Sequence, residues 1–266
     1  MSAHVSYSKG TGTMTRADRR TLVIMPTYNE ATTIPVALER VLAEAPDLNV
    51  LVVDDNSPDG TGAIVDRIAA DDDRIAALHR SGKLGLGTAY VAGFRWALER
   101  GYDVIVEMDA DGSHRPEDLP KILRVLDAYP DAAVVLGSRW ISGGKTENWA
   151  KSRQLISRFG NAYVHLALGL PVGDATGGFR AYRAEKLAEL ELDDIASQGY
   201  CFQVDVLWRL HQRGELIVEA PITFVERRAG TSKMSGAIAR EALVNITVWG
   251  TRHRARQLKR VVTGKN

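Results

Sequence analysis

Only one cysteine, Cys201, stands among the 266 residues. No disulfide can form within the chain, which fits a reducing cytoplasm, and Cys201 reads as a small buried hydrophobe. No apolar run approaches the roughly 18 to 20 residues that cross a bilayer, and the N-terminus lacks a signal-peptide core. The chain is therefore expected neither to span a membrane nor to be secreted by its own sequence. No internal repeat is present, which sets aside solenoid architectures. A dinucleotide fingerprint is missing as well, because Gly85-x-Gly87-x-x is completed by Tyr90 and not by glycine.

What is present is the composition of an ordinary globular protein, 45% hydrophobic and 25% charged. The length suits one large domain or two small ones with a sizeable core. The formal net charge of +1 conceals an asymmetry: residues 226–266 hold ten Lys/Arg against Glu226 and Glu241, a local +8, leaving −7 on the remainder. A basic tail on an acidic body suggests an anionic surface as partner.

Residues 1–19 are small, polar and basic without periodicity and are expected to be a disordered leader. Thr21–Met25 and Val50–Val53 are short β-branched runs that predict buried strands, with helices after each: one with Thr32 or Thr33 as N-cap and Pro35 in its first turn, another through Ile64, Val65 and Ile68. A short strand at Ile75–Leu78 completes a βαβαβ alternation, which implies a doubly wound, mostly parallel sheet. A Gly-rich loop from Gly82 to Gly87 leads into a further helix. The run Val104-Ile105-Val106-Glu107-Met108 predicts a central strand, and Ala132–Leu136 another. Residues 141–150 read as a polar loop and 151 to about 168 as a long helix. A short strand is expected around Gly177–Tyr182, a helix from Gln198–Asp205, two short strands at Ile217–Val218 and Ile222–Val225, and a final amphipathic helix over roughly 236–260.

The chemistry concentrates at Asp109-Ala110-Asp111-Gly112-Ser113-His114, directly after the central strand. In an open α/β sheet, ligands bind beyond the carboxyl ends of the strands, where covering helices leave an opening. Residues i and i+2 on extended backbone point the same way, so Asp109 and Asp111 can offer two carboxylates to one point. Paired hard oxygens suit Mg²⁺ or Mn²⁺, which take their remaining ligands from water and substrate phosphate. Standing alone, the same residues also read as an Asp-rich turn before the helix near Pro116.

Pro26-Thr27-Tyr28-Asn29-Glu30, the run from Asp54 to Thr61, the Gly-Leu-Gly-Thr segment ending at Thr88, Asp109 to His114, Gly137-Ser138-Arg139, Gly178-Phe179-Arg180-Ala181-Tyr182, Gly199-Tyr200-Cys201-Phe202-Gln203 and Arg227 to Lys233 occur in one order. That ordered set resembles the dolichol-phosphate mannosyltransferases of glycosyltransferase family 2, and looks most like the actinobacterial polyprenol monophosphomannose synthases. The likeness covers about residues 21–235.

The resemblance implies a GT-A fold over 20–235, with a Rossmann-like nucleotide-sugar half at 20–139, a smaller acceptor half at 140–235, and a basic amphipathic helix and tail at 236–266. It implies transfer of mannose from GDP-mannose to a polyprenyl phosphate with inversion. Asp109 and Asp111 would hold the metal, with Ser113 completing the site directly or through water. Pro26, Tyr28, Glu30, Val53 and Asp55 would line the nucleoside pocket: Tyr28 stacking on the base, Glu30 holding a ribose hydroxyl, and Asp55 accepting from guanine N1 and N2 or from uracil N3. Ala110 would belong to the same substrate-binding set. Arg139 follows a strand end, where its guanidinium fork can engage phosphate bidentately or, alternatively, stand in a surface ion pair. Arg227 and Lys233, flanking Gly230, would supply cations from a loop that folds over the donor, and Arg180 would orient the acceptor phosphate. Asp54 and Asp59 are expected to shape a turn and cap a helix. Where relatives usually carry Glu after Phe-Gln-x, this chain has Asp205, whose shorter arm weighs against a direct role.

Ile238, Leu243, Ile246 and Trp249 make an apolar side on the last helix, followed by Arg252, Arg254, Arg256, Lys259 and Arg260. This reads as a docking element for a membrane surface at its cytoplasmic face, and equally as a core-facing helix with a solvated basic end. A membrane-anchoring protein is a further expected partner, whereas nucleic acid is not. Two rivals remain open: a UDP-sugar-dependent prenyl-phosphate glucosyl- or N-acetylhexosaminyltransferase, and a non-catalytic membrane-docking module that keeps a nucleotide pocket.

Overall fold

A computed structural model describes residues 19–192, 195, 201–226 and 236–263. Strands β1 (Thr21–Thr27), β2 (Asn49–Asp54), β3 (Ile75–His79) and β4 (Val104–Glu107) are parallel neighbours. Beyond them lie β5 (Ala132–Ser138), β7 (Arg180–Arg183) and β8 (Leu216–Pro221), giving a seven-stranded sheet in the order β3-β2-β1-β4-β7-β5-β8. β7 is antiparallel to both β4 and β5, while β5 and β8 are parallel. The expected mostly parallel α/β sheet is what forms, and β7, from the second half of the chain, is inserted between two strands of the first.

Both faces of the sheet are covered, which is why its strands are near-continuous apolar runs. In β1, Leu22 and Ile24 join the core beneath helix α3 (Leu86–Glu99), α5 (Lys151–Leu168) and α7 (Cys201–Gln212). Val23 and Met25 join the opposite core, beneath α1 (Ile34–Glu44), α2 (Thr61–Asp71) and α4 (Leu119–Ala128). The period of two along an extended backbone thus sorts one five-residue run into two cores. Thr33 occupies the N-cap position of α1, but its hydroxyl turns back to the Glu30 carbonyl and carboxylate. Short helix α6 (Ala184–Ala188) follows β7.

The stretch 141–150, expected to be loop, contains β6 (Lys145–Glu147), which pairs in parallel with β9 (Thr223–Val225) in a separate two-stranded sheet. Lys-Thr-Glu has no strand pattern of its own; a partner 78 residues away makes the strand. Pro221 is tolerated as the last residue of β8 because β8 is an edge strand.

α8 (Gly236–Thr263) is the expected final helix. Its apolar side is divided: Ile246 is buried and Trp249 packs on the core, whereas Leu243 is about half exposed. Of the two readings of this apolar side, the described residues mostly follow the core-facing one, with Leu243 left toward solvent. No helix among the described residues is long and apolar enough to cross a membrane. Of the expected leader, residues 1–18 lie outside the described residues, and Arg19 is ion-paired to Asp127.

Candidate active site

Parallel pairing brings the carboxyl ends of β1, β2, β3, β4, β5 and β8 to one edge of the sheet, and antiparallel β7 presents its first residue, Arg180, there, opposite Glu107. Tyr28, Asp55, Asp109, Asp111, Ser113 and Arg139 all follow strand tips on that edge. Residues separated by more than a hundred positions become neighbours for this reason alone.

On the β1–β2 side, Pro26 pairs with Val53 in the ladder. Val53 is fully buried, so only its backbone can face a ligand. Asp54 accepts from Thr27 Oγ1 at 3.1 Å and from the Ser57 amide at 3.0 Å, shaping the expected turn. Asp59 accepts from the Ala31 and Thr61 amides, each at 3.0 Å, holding the start of α2. Asp55 is buried, and burial pushes its carboxyl above the usual carboxylate range against the pull of the Arg80 guanidinium. Arg80 Nη1 donates to Asp55 Oδ1 at 2.6 Å, and Arg80 Nη2 donates to Thr88 Oγ1 at 2.6 Å. The Lys83 ammonium lies 4.3 Å from the Tyr28 ring centroid. Glu30 accepts the Thr33 hydroxyl at 2.7 Å beside the start of α1.

Arg80 and Lys83 were not singled out from sequence. The rule that found Asp55 would have found them, since both follow the tip of β3.

The acidic loop is held by backbone bonds. The Asp109 amide donates to His114 Nδ1 at 2.9 Å, so the imidazole accepts through Nδ1 and carries its proton on Nε2. His114 stacks on Phe179, with centroids 5.1 Å apart, and meets the edge of Phe224. The Ser113 amide donates to Asp111 Oδ1 at 2.9 Å, and Gly112 takes φ +78°, the turn that returns the chain between them. Both carboxylates stay partly open, with 29% of the Asp109 side chain exposed. Ala110 and Ser113 are buried, and Ser113 Oγ has no hydrogen-bond partner among the described residues.

Among the described residues no three His, Cys, Asp or Glu side chains gather into a metal site. Two partly exposed carboxylates, beside a hydroxyl with no partner among the described residues, are hard oxygen donors of the kind that suit a divalent cation drawing its other ligands from water and phosphate.

Below Asp109, on the same strand face, Glu107 is completely buried. Its Oε1 accepts the Tyr182 hydroxyl at 3.3 Å and its Oε2 is unpartnered among the described residues. Burial lifts its carboxyl to about 8, against the pull of Arg180 and with a further push from Asp109. Burial therefore favours its protonated form. The apolar run that marked β4 concealed it.

Two expected phosphate ligands are engaged elsewhere. Arg139 is buried, and its Nε and Nη2 donate to the two oxygens of fully buried Asp174 at 2.6 Å each. The guanidinium fork is thus closed on a carboxylate of the protein itself. Arg180 is also fully buried, donating to the carbonyls of Gly177 at 2.8 Å, Gln203 at 2.6 Å and Ala175 at 2.7 Å. It braces the backbone and offers no exposed atom to an acceptor. Asp205 pairs with Arg209 on its own helix at 2.8 Å. Arg227 and Lys233 lie outside the described residues. The chain approaches that loop with the Val225 amide donating to the Ser113 carbonyl at 3.1 Å.

A mostly parallel seven-stranded sheet in this strand order, with paired acids beyond β4 and a buried carboxylate beyond β2 on one edge, is an α/β protein of the GT-A class. Residues 22–191 match Glycosyl transferase family 2, and the chain belongs to that family. An undecaprenyl-phosphate mannosyltransferase from Micrococcus luteus is 56% identical over 87% of this chain and 94% of its own. A polyprenol monophosphomannose synthase from Mycolicibacterium smegmatis is 50% identical over 93% of each. Among solved structures, a mannosyltransferase from Pyrobaculum calidifontis, in complex with GDP-mannose and Mn²⁺, superposes with a TM-score of 0.57 at 21% identity, covering 89% of this chain and 64% of that one. Glucosyl-3-phosphoglycerate synthase from Mycobacterium tuberculosis, in complex with Mn²⁺ and UDP-glucose, gives 0.64 at 21% identity over 88% and 79%. These two likenesses establish the fold.

Proposed function

We propose that the chain transfers mannose from GDP-mannose to a polyprenyl phosphate at the cytoplasmic face of a membrane, inverting the anomeric carbon. The observation that carries this reading is the 50–56% identity, over 87–93% of the chain, to two proteins named for mannosyl transfer to prenyl phosphates. The site supplies the means. Tyr28 stacks on the base, Asp55 accepts from guanine N1 and N2, and Glu30 meets the ribose. Asp109 and Asp111 would hold Mg²⁺ or Mn²⁺, with Ser113 completing the set directly or through water, and the cation would there neutralise charge gathering on the departing diphosphate. Arg227 and Lys233 add positive charge to the same oxygens.

A phosphate monoester has a second pKa near 6, so the acceptor is already a nucleophile at neutral pH. Its oxygen forms the new bond to the anomeric carbon as the bond to GDP breaks, and no proton need move. Glu107, completely buried below Asp109, is likewise not placed to serve as a base, since burial favours its protonated form. Catalysis then rests on positioning and charge stabilisation.

Asp55 could also serve uracil, and the fold accommodates donors of both kinds. Radiolabelled GDP-mannose and UDP-glucose, each with Mn²⁺ and a short prenyl phosphate, separate the two by which label enters the organic phase. Label from GDP-mannose alone is expected; label from UDP-glucose alone would overturn the assignment.

A further inference from the structure

α5 is apolar on the side that faces away from the core. Asn161, Val164 and Leu168 point inward, whereas Leu155, Phe159, Ala162 and Leu166 recur at helical spacing on the opposite side and are exposed. Phe159 and Leu166 are 67% and 69% exposed, and Leu155 and Ile156 are 56% and 60%. A helix lying on a soluble core ordinarily turns polar residues to water there.

α8 runs alongside. Tyr163 Oη lies 2.5 Å from Thr247 Oγ1, Arg254 Nη2 donates to the Leu166 carbonyl at 2.5 Å, and Gly250 approaches Ala167 so closely that a Cβ there would overlap its carbonyl. These contacts run in step along both helices. Leu243, one turn before Thr247, is therefore level with Phe159, one turn before Tyr163. Leu243 and Val244 are themselves about half exposed. The stripe from Leu155 to Leu166 is about 16 Å long at the helical rise.

Cations frame this surface. Lys151 and Arg158 are exposed on α5, Arg252 and Arg254 on α8, and neither 151–168 nor 242–255 contains an acidic residue. The Arg158 guanidinium lies 4.7 Å from the Trp140 ring centroid. α5 also leads to the site: Arg153 is ion-paired to Glu226, and Asn161 Nδ2 donates at 3.2 Å to Asp174, which holds Arg139.

We propose that the joint α5–α8 face beds into the headgroup boundary of an anionic bilayer, apolar side chains down and guanidinium groups level with lipid phosphates. The charge frame selects an anionic surface, and the choice of a bilayer rests on the prenyl-phosphate reading above, since that acceptor stays in the membrane. The face would set the carboxyl edge of the sheet at headgroup depth, where the acceptor phosphate lies.

The full-length protein is sedimented with phosphatidylglycerol–phosphatidylcholine vesicles and with phosphatidylcholine vesicles alone, no donor or acceptor being present. Binding to the anionic vesicles is expected, falling about tenfold or more in Phe159→Ser/Leu166→Ser and several-fold in Lys151→Glu/Arg158→Glu. Tyr129→Ser, which removes an exposed aromatic elsewhere, should bind as wild type. Turnover of a short, water-soluble prenyl phosphate should be the same in all of them, showing that the variants fold. Equal binding by Phe159→Ser/Leu166→Ser and wild type would overturn the proposal. So would a wild type that ignores vesicles and dimerises through this face. Vesicle binding decides the docking face whatever becomes of the transferase reading, which the soluble acceptor tests separately.

Discussion

Asp174→Ala is expected to be among the most damaging single substitutions outside the apolar core. Asp174 is fully buried and its carboxylate accepts from the Arg139 amide at 3.0 Å, from Arg139 Nε and Nη2 at 2.6 Å each, and from Asn161 Nδ2 at 3.2 Å. Two unit charges about 4 Å apart attract by about 4 kcal/mol at an effective dielectric near 20. Removing one partner of such a pair typically costs about 3–5 kcal/mol, because the other charge is left buried and unpaired. In a chain of this size that lowers the melting temperature by about 10 °C. Arg139→Met should lose a similar amount. The double variant Arg139→Met/Asp174→Ala should lose less than the sum by about 2 kcal/mol or more, since no charge is then stranded. Urea unfolding of the four proteins measures this directly. A loss below about 1 kcal/mol in Asp174→Ala, with additive effects in the double variant, would falsify the view that Arg139 is committed to Asp174.

Asp109→Ala should reduce metal-dependent turnover by about a hundredfold or more while leaving the urea midpoint nearly unchanged, because its side chain is partly exposed at a strand tip; unaltered turnover would remove it from the site. Glu107 holds a proton in the folded protein up to about pH 8, whereas the unfolded chain releases it near 4.5. Stability should therefore fall as pH rises between those values, by up to about 1.4 kcal/mol per unit, and Glu107→Gln should abolish that slope; parallel pH profiles for the two proteins would count against it. Ser113→Ala deletes a buried hydroxyl with no partner among the described residues and should leave stability equal or raise it by up to about 1 kcal/mol. A marked loss on calorimetry would show that the hydroxyl has a partner.

Much of the site was legible because strand tips are legible. An apolar β-branched run followed by Asp, Asn, Gly or Pro marks both a buried strand and the loop beyond its carboxyl end, and this located Asp55, Asp109, Asp111 and Arg139 at the sheet edge. The same rule applied to β3 would have added Arg80 and Lys83. Glu107 was hidden inside the run that identified its strand, since a lone acid among valines and isoleucines looks like an interruption and not a buried group. β6 was hidden for the opposite reason, being polar throughout and made a strand only by β9.

What the sequence determined by itself was the alternation of elements, their burial on two faces and the chemical types at each strand end, because these depend on periodicity and composition over a few residues. The tertiary structure decided which charges are committed to the protein's own interior. Arg139 and Arg180 look like ligands for phosphate in the chain, yet Asp174, 35 residues beyond Arg139, closes one guanidinium and three backbone carbonyls surround the other. A buried cation must find its counter-charge or acceptors wherever the fold brings them, and that distance along the chain leaves no local trace.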